Sequence, residues 1–277
     1  ILTGLRDRGW DVEVVTVEYR GHQRDYEYEG IHVQVLPDRL MAAPYTWCDV
    51  ALTHLDVTSH AVAWGRWGRP VAHICHNHRQ LLHHHVPDDG NNAPIWNSEW
   101  IRDGYWSHWQ GPSTVCRPPL NPSEHETHVR NRHELRTVAL TNLLGIKGGE
   151  LFWRLANRMP EWRFLGVEGS YGAQVPMPTD LGNGEVIPTG PMRDVWSRTS
   201  VYVQPSMYES WGLSVVEAMC SGIPVVVANT DGLWESTTSP EHGRCAIYCD
   251  WDDDDAWYEA LRRLEDLKLI KRRHRGL

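Results

Sequence analysis

The chain has 277 residues, enough for two ordinary α/β domains or one large one. Hydrophobic residues make up 41% of it and charged residues 23%, which is typical of a folded globular protein and excludes a disordered one. The net charge of −9 argues against a broad nucleic-acid-binding surface, because such surfaces are rich in clustered Lys and Arg. No apolar run approaches the roughly 18 residues that cross a bilayer. The six cysteines form no Cys-x-x-Cys pair, so a reducing cytoplasm is expected.

The N-terminal part of the chain alternates between strand-like and helical patterns. A helix end runs into an alternating strand at Val12–Val17, with Gly9 at the turn between them. Ser98–Ser107 has a helical pattern. The alternation predicts βαβ units and a parallel sheet. The further predicted strands are Ile31–Leu36, Val50–Thr53, Val71–Cys75, Ile95–Asn97 and Thr114–Arg117.

A proline-rich polar stretch, Arg117–Glu134, interrupts this pattern and is predicted to be an interdomain linker. After it the alternation starts again, which predicts a second lobe of the same kind. We expect an α/β protein with two doubly wound, Rossmann-like lobes, residues 1–121 and 122–277, facing a cleft, with ligands beyond the carboxyl ends of the strands. The second lobe's predicted strands are Thr137–Thr141, Trp162–Gly166, Glu185–Pro188, Val201–Gln204, Pro224–Ala228 and one near Ala246–Tyr248; its helices are Gly149–Arg158, Met192–Arg198, Leu213–Ser221 and Asp254–Leu267.

The segment Gln204–Glu235 carries the most informative pattern. A strand is followed by a short loop with Glu209 and by a helix that begins near Gly212. The N–H groups of Gly212 and Leu213 would be unpaired helix N-terminal donors, suited to an anionic phosphate. Glu217 follows on the same helix, and each carboxylate can accept two hydroxyl hydrogen bonds, which suits sugar and ribose diols. The two acids could therefore bracket a bound phosphate.

This segment resembles the signature of retaining glycosyltransferases of the GT-B fold, most closely glycosyltransferase family four. The resemblance implies that Glu209 contacts the donor sugar and Glu217 the nucleotide ribose. The Gly166–Gly172 loop, which follows a strand, is expected to line the nucleotide base. Donor choice is expected to depend on the side chains around Glu209, Ser210 and the Gly169–Gly172 part of that loop. The matching positions are Pro205, Ser206, Glu209, Glu217, Ala218, Met219, Ser221, Gly222, Pro224 and Val225.

The segment Thr141–Gly172 resembles a second motif of that family. There a strand ends in a basic residue, a Lys-Gly pair follows five positions later, and the two bases neutralise the donor diphosphate. Lys147 and the glycine after it fit, at a predicted helix N-terminus. Asn142, however, occupies the position of the family's arginine. Either Arg193 or Arg198 substitutes for it, or the leaving group is held less tightly.

The N-terminal half carries a weaker resemblance, in Pro94–Tyr105 and Cys116–Pro122. Pro70–His78 resembles the family's strand whose terminal histidine faces the donor sugar, which implies that role for His76. A histidine satisfied by local hydrogen bonds is the alternative. The family's first strand and its glycine-rich loop would precede Ile1, so the N-terminal lobe is expected to lack that strand.

No metal site is expected. The N-terminal half contains a cluster of histidines: His73, His76, His78 and His83–His85. Their spacing is no recognised ligand set and no Cys or carboxylate partner is evident, so a solvated histidine-rich loop is expected. The acidic run Asp252–Asp255 precedes a helix and is explained by helix capping. The resemblance likewise implies no metal-binding Asp-x-Asp site and no cofactor besides the nucleotide-sugar substrate.

The reaction implied by the resemblance is transfer of a sugar from a nucleoside-diphosphate sugar to an acceptor hydroxyl, with retention at the anomeric carbon. One alternative is a catalytically silent or truncated relative that binds a nucleotide sugar without transferring it. Another is a different GT-B enzyme, such as a sugar-nucleotide epimerase or a phosphorylase, which the spacing of Glu209 and Glu217 disfavours. The acceptor is not predicted, although the negative net charge argues against a nucleic acid.

Overall fold

The computed structural model describes residues 2–17, 24–36, 48–54, 68–77 and 86–265. The chain divides into two compact units. The first consists of Ile1–Trp96 and His108–Pro119, and the second of Asn97–Ser107 and Leu120–Leu277. The short segment Asn97–Ser107 is therefore part of the second unit, although the residues on both sides of it belong to the first.

The first unit contains two sheets. Helix α1 (Leu2–Arg6) precedes a sheet in which β1 pairs parallel and β2 antiparallel with β3. The other sheet is parallel throughout, in the order β4-β5-β6-β7. The strands are β1 (Val14–Val17), β2 (Tyr26–Tyr28), β3 (Ile31–Leu36), β4 (Ala51–His54), β5 (Val71–Cys75), β6 (Asn92–Trp96) and β7 (Thr114–Val115).

Strand β2 is absent from the sequence-based prediction. All its side chains are exposed, so no apolar alternation marks it. It is held by a tight turn at Glu29 and Gly30, whose φ values of 50° and 72° reverse the chain into β3.

The second unit is built on a six-stranded parallel sheet covered by helices. Its main strands are β8 (Thr137–Thr141), β9 (Arg163–Val167), β10 (Gly184–Ile187), β11 (Val201–Gln204), β12 (Val225–Ala228) and β15 (Ile247–Cys249), and β13 (Thr238–Ser239) with β14 (Gly243–Arg244) forms a small hairpin. Its helices are α2 (Glu99–Tyr105), α3 (Pro122–His125), α4 (Gly149–Arg158), α5 (Met192–Arg198), α6 (Leu213–Cys220), α7 (Asp231–Thr237) and α8 (Asp254–Glu265), with 3-10 turns at Arg132–Leu135 and Gly145–Lys147.

The strand order in this sheet is β10-β9-β8-β11-β12-β15. Counted from β8, this is the Rossmann order 3-2-1-4-5-6, in which the order reverses between the first and fourth strands. The loops that leave β8 and β11 therefore diverge at their carboxyl ends and leave a crevice between them.

The core of the second unit lies on both faces of this sheet. Every residue of β11 and of β12 is buried, as expected of central strands covered by helices on both sides. Large aromatic side chains fill much of the space, among them the fully buried Trp196 and Trp257. Because β11 and β12 are buried on both faces, they are near-continuous apolar runs in the sequence, and the sequence predicted them well.

Two sequence-based expectations have a clear outcome here. The acidic run before α8 does cap that helix, because the Asp253 carboxylate accepts the N–H of Ala256 at 2.9 Å, and Asp254 pairs with Arg154 at 2.6 Å. The predicted linker contains α3 and a 3-10 turn, so it is partly ordered structure. No helix in the described ranges combines the length and apolar character needed to cross a bilayer.

Candidate functional site

Two loops at the switch point of the second sheet are locked together. The loop after β8 and the loop after β11 share a backbone hydrogen bond, from Met207 N–H to the Ile146 carbonyl at 3.0 Å. Gly148 has a φ of +87°, and a Cβ atom there would overlap the ring of Pro205. Only glycine combines this backbone conformation with so close an approach. This hydrogen bond and the close packing at Gly148 fix the position of the preceding residue, Lys147.

An ion pair joins the two loops. Lys147 Nζ lies 2.6 Å from Oε1 of Glu209, and the two side chains are 15% and 14% exposed. Gln204 Nε2 and Ser206 Oγ donate to the same oxygen, each at 2.9 Å. Among residues 86–265, no side chain or amide donates to the other oxygen, Oε2. The structure thus brings Lys147 and Glu209 together, with one carboxylate oxygen held and the other open.

A buried polar network lies next to this ion pair and contacts it through Gln204. The Tyr202 hydroxyl bonds to Gln204 Oε1, to Thr141 Oγ1 at 2.7 Å and to Ser214 Oγ at 2.9 Å. Burial raises the pKa of Tyr202, so its phenol stays neutral. The network connects β8, β11 and the first turn of α6, which keeps the carboxylate of Glu209 in a fixed orientation.

Helix α6 begins beside the pair at Gly212, which has a φ of +85°. A Cβ at Gly212 would lie 2.5 Å from Cδ2 of Leu233, so this position also requires glycine. In the part of the chain that the structure describes, no protein group accepts the N–H groups of Gly212 or Leu213. These unpaired amides lie at the positive end of the helix dipole, where they can bind an anion; Gly212 is buried and Leu213 is exposed.

The second acid of the motif has a different environment. Glu217 is 9% exposed on α6, and its Oε2 lies 3.8 Å from Nδ1 of His125 on α3. Burial raises the pKa of Glu217, and His125 partly offsets this. Glu217 and Glu209 share no hydrogen-bond partner among the described residues, so bracketing of one phosphate by both acids stays a prediction.

Asn142 lies in the loop after β8 with a φ of +65°, a left-handed conformation that asparagine tolerates. Its Oδ1 accepts from Gln174 Nε2 at 3.4 Å. Gln174 Oε1 in turn accepts the N–H groups of Leu143 and Gly169, at 2.8 and 2.9 Å. A Cβ at Gly169 would come within 2.5 Å of Asn142 Oδ1, which explains the glycine. Sequence reasoning missed Gln174, because a lone glutamine in a glycine-bounded loop has no periodic signal.

The two arginines considered as substitutes at the Asn142 position differ in location. Arg198 lies in the last turn of α5 and pairs with Glu185. Helices between parallel strands run opposite to them, so this last turn is at the amino end of the sheet, away from the switch point. Arg193, in the first turn of α5, is exposed.

Ser210 is tied to the segment that joins the second unit from the middle of the chain. Asn97 Nδ2 donates to Ser210 Oγ at 2.7 Å, and Trp100 Nε1 donates to the Ser210 carbonyl at 2.9 Å. The carboxylate of Glu235 accepts the N–H groups of Glu99 and Trp100, both at 3.0 Å, and so caps α2. The sequence pattern did not reveal this connection, since its partners are more than a hundred residues apart.

Large apolar side chains remain exposed along the same edge of the sheet. In the described part of the second unit, each large hydrophobic side chain that stays exposed follows the carboxyl end of a parallel strand. These side chains therefore lie at the end of the sheet where parallel α/β sheets bind their ligands. The residues are Ile146, Tyr171, Met207, Leu213 and Trp251.

In the first unit, His76 follows β5 and its ring lies 4.4 Å from that of His54, edge to face. Burial, and to a smaller extent His54, lowers the pKa of His76 to about 4, so it is neutral at pH 7. Its predicted contact with the donor sugar stays a prediction.

The expectation of a solvated histidine loop is wrong for His73. This side chain is fully buried in β5 and bonds to Thr53 Oγ1 at 2.9 Å and Asn92 Oδ1 at 2.8 Å. The alternation of β5 turns it inward, and hydroxyl and amide partners on the flanking strands satisfy both ring nitrogens. His78 and His83–His85 lie outside the described residues. Within those residues, no group of three His, Cys, Asp or Glu side chains could hold a metal ion.

Comparison with known proteins agrees with this geometry. Residues 186–276 match the family described as glycosyl transferases group 1. A D-inositol 3-phosphate glycosyltransferase of Corynebacterium kroppenstedtii is 31% identical over 304 residues, covering 86% of this chain and 66% of that protein. The chain spans just under two thirds of such relatives, the Streptomyces avermitilis protein being covered to 65%.

Two solved structures share the fold. Sucrose-phosphate synthase of Thermosynechococcus elongatus has a TM-score of 0.72 at 18% identity, covering 94% of this chain and 81% of that one. HepE of Anabaena, solved in complex with UDP-glucose, has a TM-score of 0.67 at 14% identity, covering 87% of this chain and 78% of that one. The chain therefore has the GT-B fold, and its residues 186–276 belong to the glycosyl transferases group 1 family.

Proposed function

We propose that the chain is a retaining glycosyltransferase that moves a sugar from a nucleoside-diphosphate sugar to an acceptor hydroxyl. The observation that carries this proposal is the Lys147–Glu209 pair, 2.6 Å apart, at the switch point beside the free amides that open α6. Parallel α/β sheets bind their ligands at this point.

The diphosphate of the donor would lie between Lys147 and the start of α6. An ammonium group and the N–H groups of Gly212 and Leu213 all offer hydrogen bonds to phosphate oxygens. The glycines at these two positions allow the backbone to pack closely against Pro205 and Leu233, which fixes where these donors lie. These donors would stabilise the negative charge that grows on the leaving phosphate.

The sugar would bind next to the diphosphate. Oε2 of Glu209 is open to a sugar hydroxyl, while its Oε1 is held by protein donors. Ser210 accepts from Asn97 and keeps its own proton to donate. Glu217 would accept the ribose hydroxyls, and the loop containing Gly169 would line the base. His76 would contact the donor sugar.

The transfer step balances without a further reagent. The bond between the anomeric carbon and the phosphate oxygen breaks, and the acceptor oxygen bonds to the same face of that carbon. The acceptor's proton passes to the departing phosphate oxygen. The protein's contribution is to position the partners and to stabilise the phosphate charge through Lys147 and the α6 amides.

The comparisons suggest which substrates to test first. HepE was solved with UDP-glucose, so UDP-sugars are the first donors. The matched relatives are D-inositol 3-phosphate glycosyltransferases, so an inositol phosphate is the first acceptor. A nucleic-acid acceptor is disfavoured by the net charge of −9.

A second candidate is a silent relative that binds a nucleotide sugar without transferring it. Asn142 favours it, because the neutral amide stands where the family has an arginine and one positive charge is missing beside the leaving group. The two candidates differ in whether an acceptor increases nucleotide release.

A donor screen decides between them. Nucleotide release from UDP-, GDP-, ADP- and dTDP-sugars is followed with and without inositol phosphate and simple sugar acceptors, and binding is followed by thermal shift. Acceptor-dependent release that Lys147→Ala and Glu209→Ala each reduce by about a hundredfold or more supports transfer. Binding without release favours the silent relative. Near-wild-type rates in both variants would contradict the assignment of Lys147 and Glu209.

A further inference from the structure

Gln174 uses all of its hydrogen-bonding capacity inside the protein. Its Oε1 accepts two backbone N–H groups, from Leu143 at 2.8 Å and Gly169 at 2.9 Å. Its Nε2 donates to the Tyr171 carbonyl at 2.9 Å and to Asn142 Oδ1 at 3.4 Å. A side-chain amide has two acceptor sites and two donor hydrogens, so none is left for a ligand. Gln174 itself does not bind the donor.

The backbone decides which way this amide faces. Two N–H groups can only be satisfied by an oxygen, so the oxygen of Gln174 must lie toward Leu143 and Gly169. The NH₂ group then faces Tyr171 and Asn142. Because that NH₂ group can only donate, the side chain of Asn142 must turn its own oxygen toward it. The orientation of Asn142 thus follows from the backbone, by way of Gln174.

With its oxygen toward Gln174, Asn142 has its Nδ2 on the opposite side of the amide. Its Nδ2 donates to no protein group within the described ranges, although the side chain is only partly exposed. Asn142 lies directly beyond the carboxyl end of β8, one of the two strands that flank the switch point. Two amide hydrogens are therefore presented on the loop that also carries Lys147.

We propose that Gln174 is a positioning residue of the nucleotide-sugar site, which fixes the Asn142 amide so that Nδ2 donates to an oxygen of the donor diphosphate. This inference rests on the proposed function. By donating to the diphosphate, a neutral amide held in one orientation would partly replace the arginine that the family has at this position. Gln174 acts only through Asn142 and the two loops that it joins.

The test measures the dissociation constant of a nucleoside diphosphate and of its parent nucleoside by calorimetry. The diphosphate is the one among UDP, GDP, ADP and dTDP that stabilises the wild-type chain most. Gln174→Met keeps the side chain's length and removes all four hydrogen bonds. Asn142→Gly removes the amide and suits the φ of +65°. Each variant should bind the diphosphate about tenfold more weakly and the nucleoside within about twofold of wild type.

The double variant measures the coupling between Gln174 and Asn142. If Gln174 acts through Asn142, Gln174→Met has no further effect on diphosphate binding in the Asn142→Gly background. Additive losses, an unchanged diphosphate affinity in Gln174→Met, or an equal loss for nucleoside and diphosphate would each overturn the proposal. Should Gln174→Met fail to fold, Gln174→Glu replaces it, because the carboxylate still accepts both N–H groups but cannot donate to Asn142.

A matched control separates positioning from general stability. Like Gln174, Asn183 joins several backbone groups through its side-chain amide. Its Nδ2 donates to the carbonyls of Ala156, Met159 and Trp162, at 3.0, 3.0 and 2.8 Å. It precedes β10, at the amino end of the sheet. Asn183→Ala should lower the melting temperature and leave diphosphate affinity unchanged. A wild-type chain that binds none of the four diphosphates refutes the proposed function itself, whereas normal wild-type binding with an unaffected Gln174→Met refutes only the role of Gln174.

Discussion

Lys147 Nζ and Glu209 Oε1 lie 2.6 Å apart, with both side chains largely buried and two further donors on the same carboxylate oxygen. A charged pair in this setting is already oriented before any ligand arrives. A bound diphosphate would compete with Glu209 for the ammonium group, while the sugar would use the open oxygen of the same carboxylate.

This competition predicts opposite effects for two substitutions. Glu209→Gln removes the negative charge beside the diphosphate and frees Lys147, so a nucleoside diphosphate should bind as tightly as in wild type or more tightly. Turnover should still fall by about 10²-fold or more, because the sugar contact is weakened. Lys147→Met should weaken diphosphate binding. Calorimetry together with initial rates checks this, and weaker diphosphate binding by Glu209→Gln would count against it.

The lock between the two loops predicts a large cost for one methyl group. Gly148→Ala should destabilise the chain by about 3 kcal/mol, because alanine disfavours a φ of +87° and its Cβ would overlap Pro205. Gly182→Ala is the matched control, since nothing lies within 4 Å of a Cβ there, and it should change stability by less than about 0.5 kcal/mol. Urea unfolding of both variants measures the difference. Equal stabilities would show that the loops are not locked.

Burial of Glu217 predicts a pH-dependent stability. Its folded pKa is raised above the unfolded value, so the protonated form favours folding. That contribution is complete below the unfolded pKa of about 4.3 and is lost as the pH rises through the folded pKa. Glu217→Gln cannot ionise, so its stability relative to wild type should increase between pH 4 and about pH 7. Unfolding curves across this range test the sign; a constant or falling difference would rule it out.

Glu235, which caps α2, is expected to affect both stability and donor binding. Glu235→Gln weakens the two bonds to the N–H groups of Glu99 and Trp100 and should cost about 1 kcal/mol. It should also weaken binding of nucleotide sugars, since Trp100 holds the Ser210 carbonyl. Glu241→Gln, on an exposed turn, is the control and should be neutral. Thermal melts with and without donor measure both effects, and identical behaviour of the two variants would refute the link.

The sequence predicted the scaffold of the second unit better than the contacts within its site. Fully buried strands such as β11 and β12 leave long apolar runs, and glycines such as Gly148 and Gly212 mark close approaches, so both features are visible in one dimension. The resemblance to known motifs implied ligand roles for Lys147 and Glu209, but it did not predict that the two side chains pair with each other. The hydrogen-bond geometry of this pair required the strand order that places β8 beside β11.

Other parts of the site had no local signal. Gln174 and Glu235 act through backbone groups of distant segments, and backbone groups carry no sequence identity. His73 was misjudged because it was grouped with the histidines that follow the predicted strand Val71–Cys75, whereas it lies in that strand and its partners Thr53 and Asn92 lie on adjacent strands. Contacts of this kind become predictable only when the sheet register is known.

A structure of the chain with a bound nucleoside diphosphate would show whether the diphosphate binds between Lys147 and the start of α6. We expect phosphate oxygens within hydrogen-bonding distance of Lys147 Nζ and of the amides of Gly212 and Leu213. Phosphates bound elsewhere on the chain, with Lys147 still paired to Glu209 and the first turn of α6 unoccupied, would contradict this expectation.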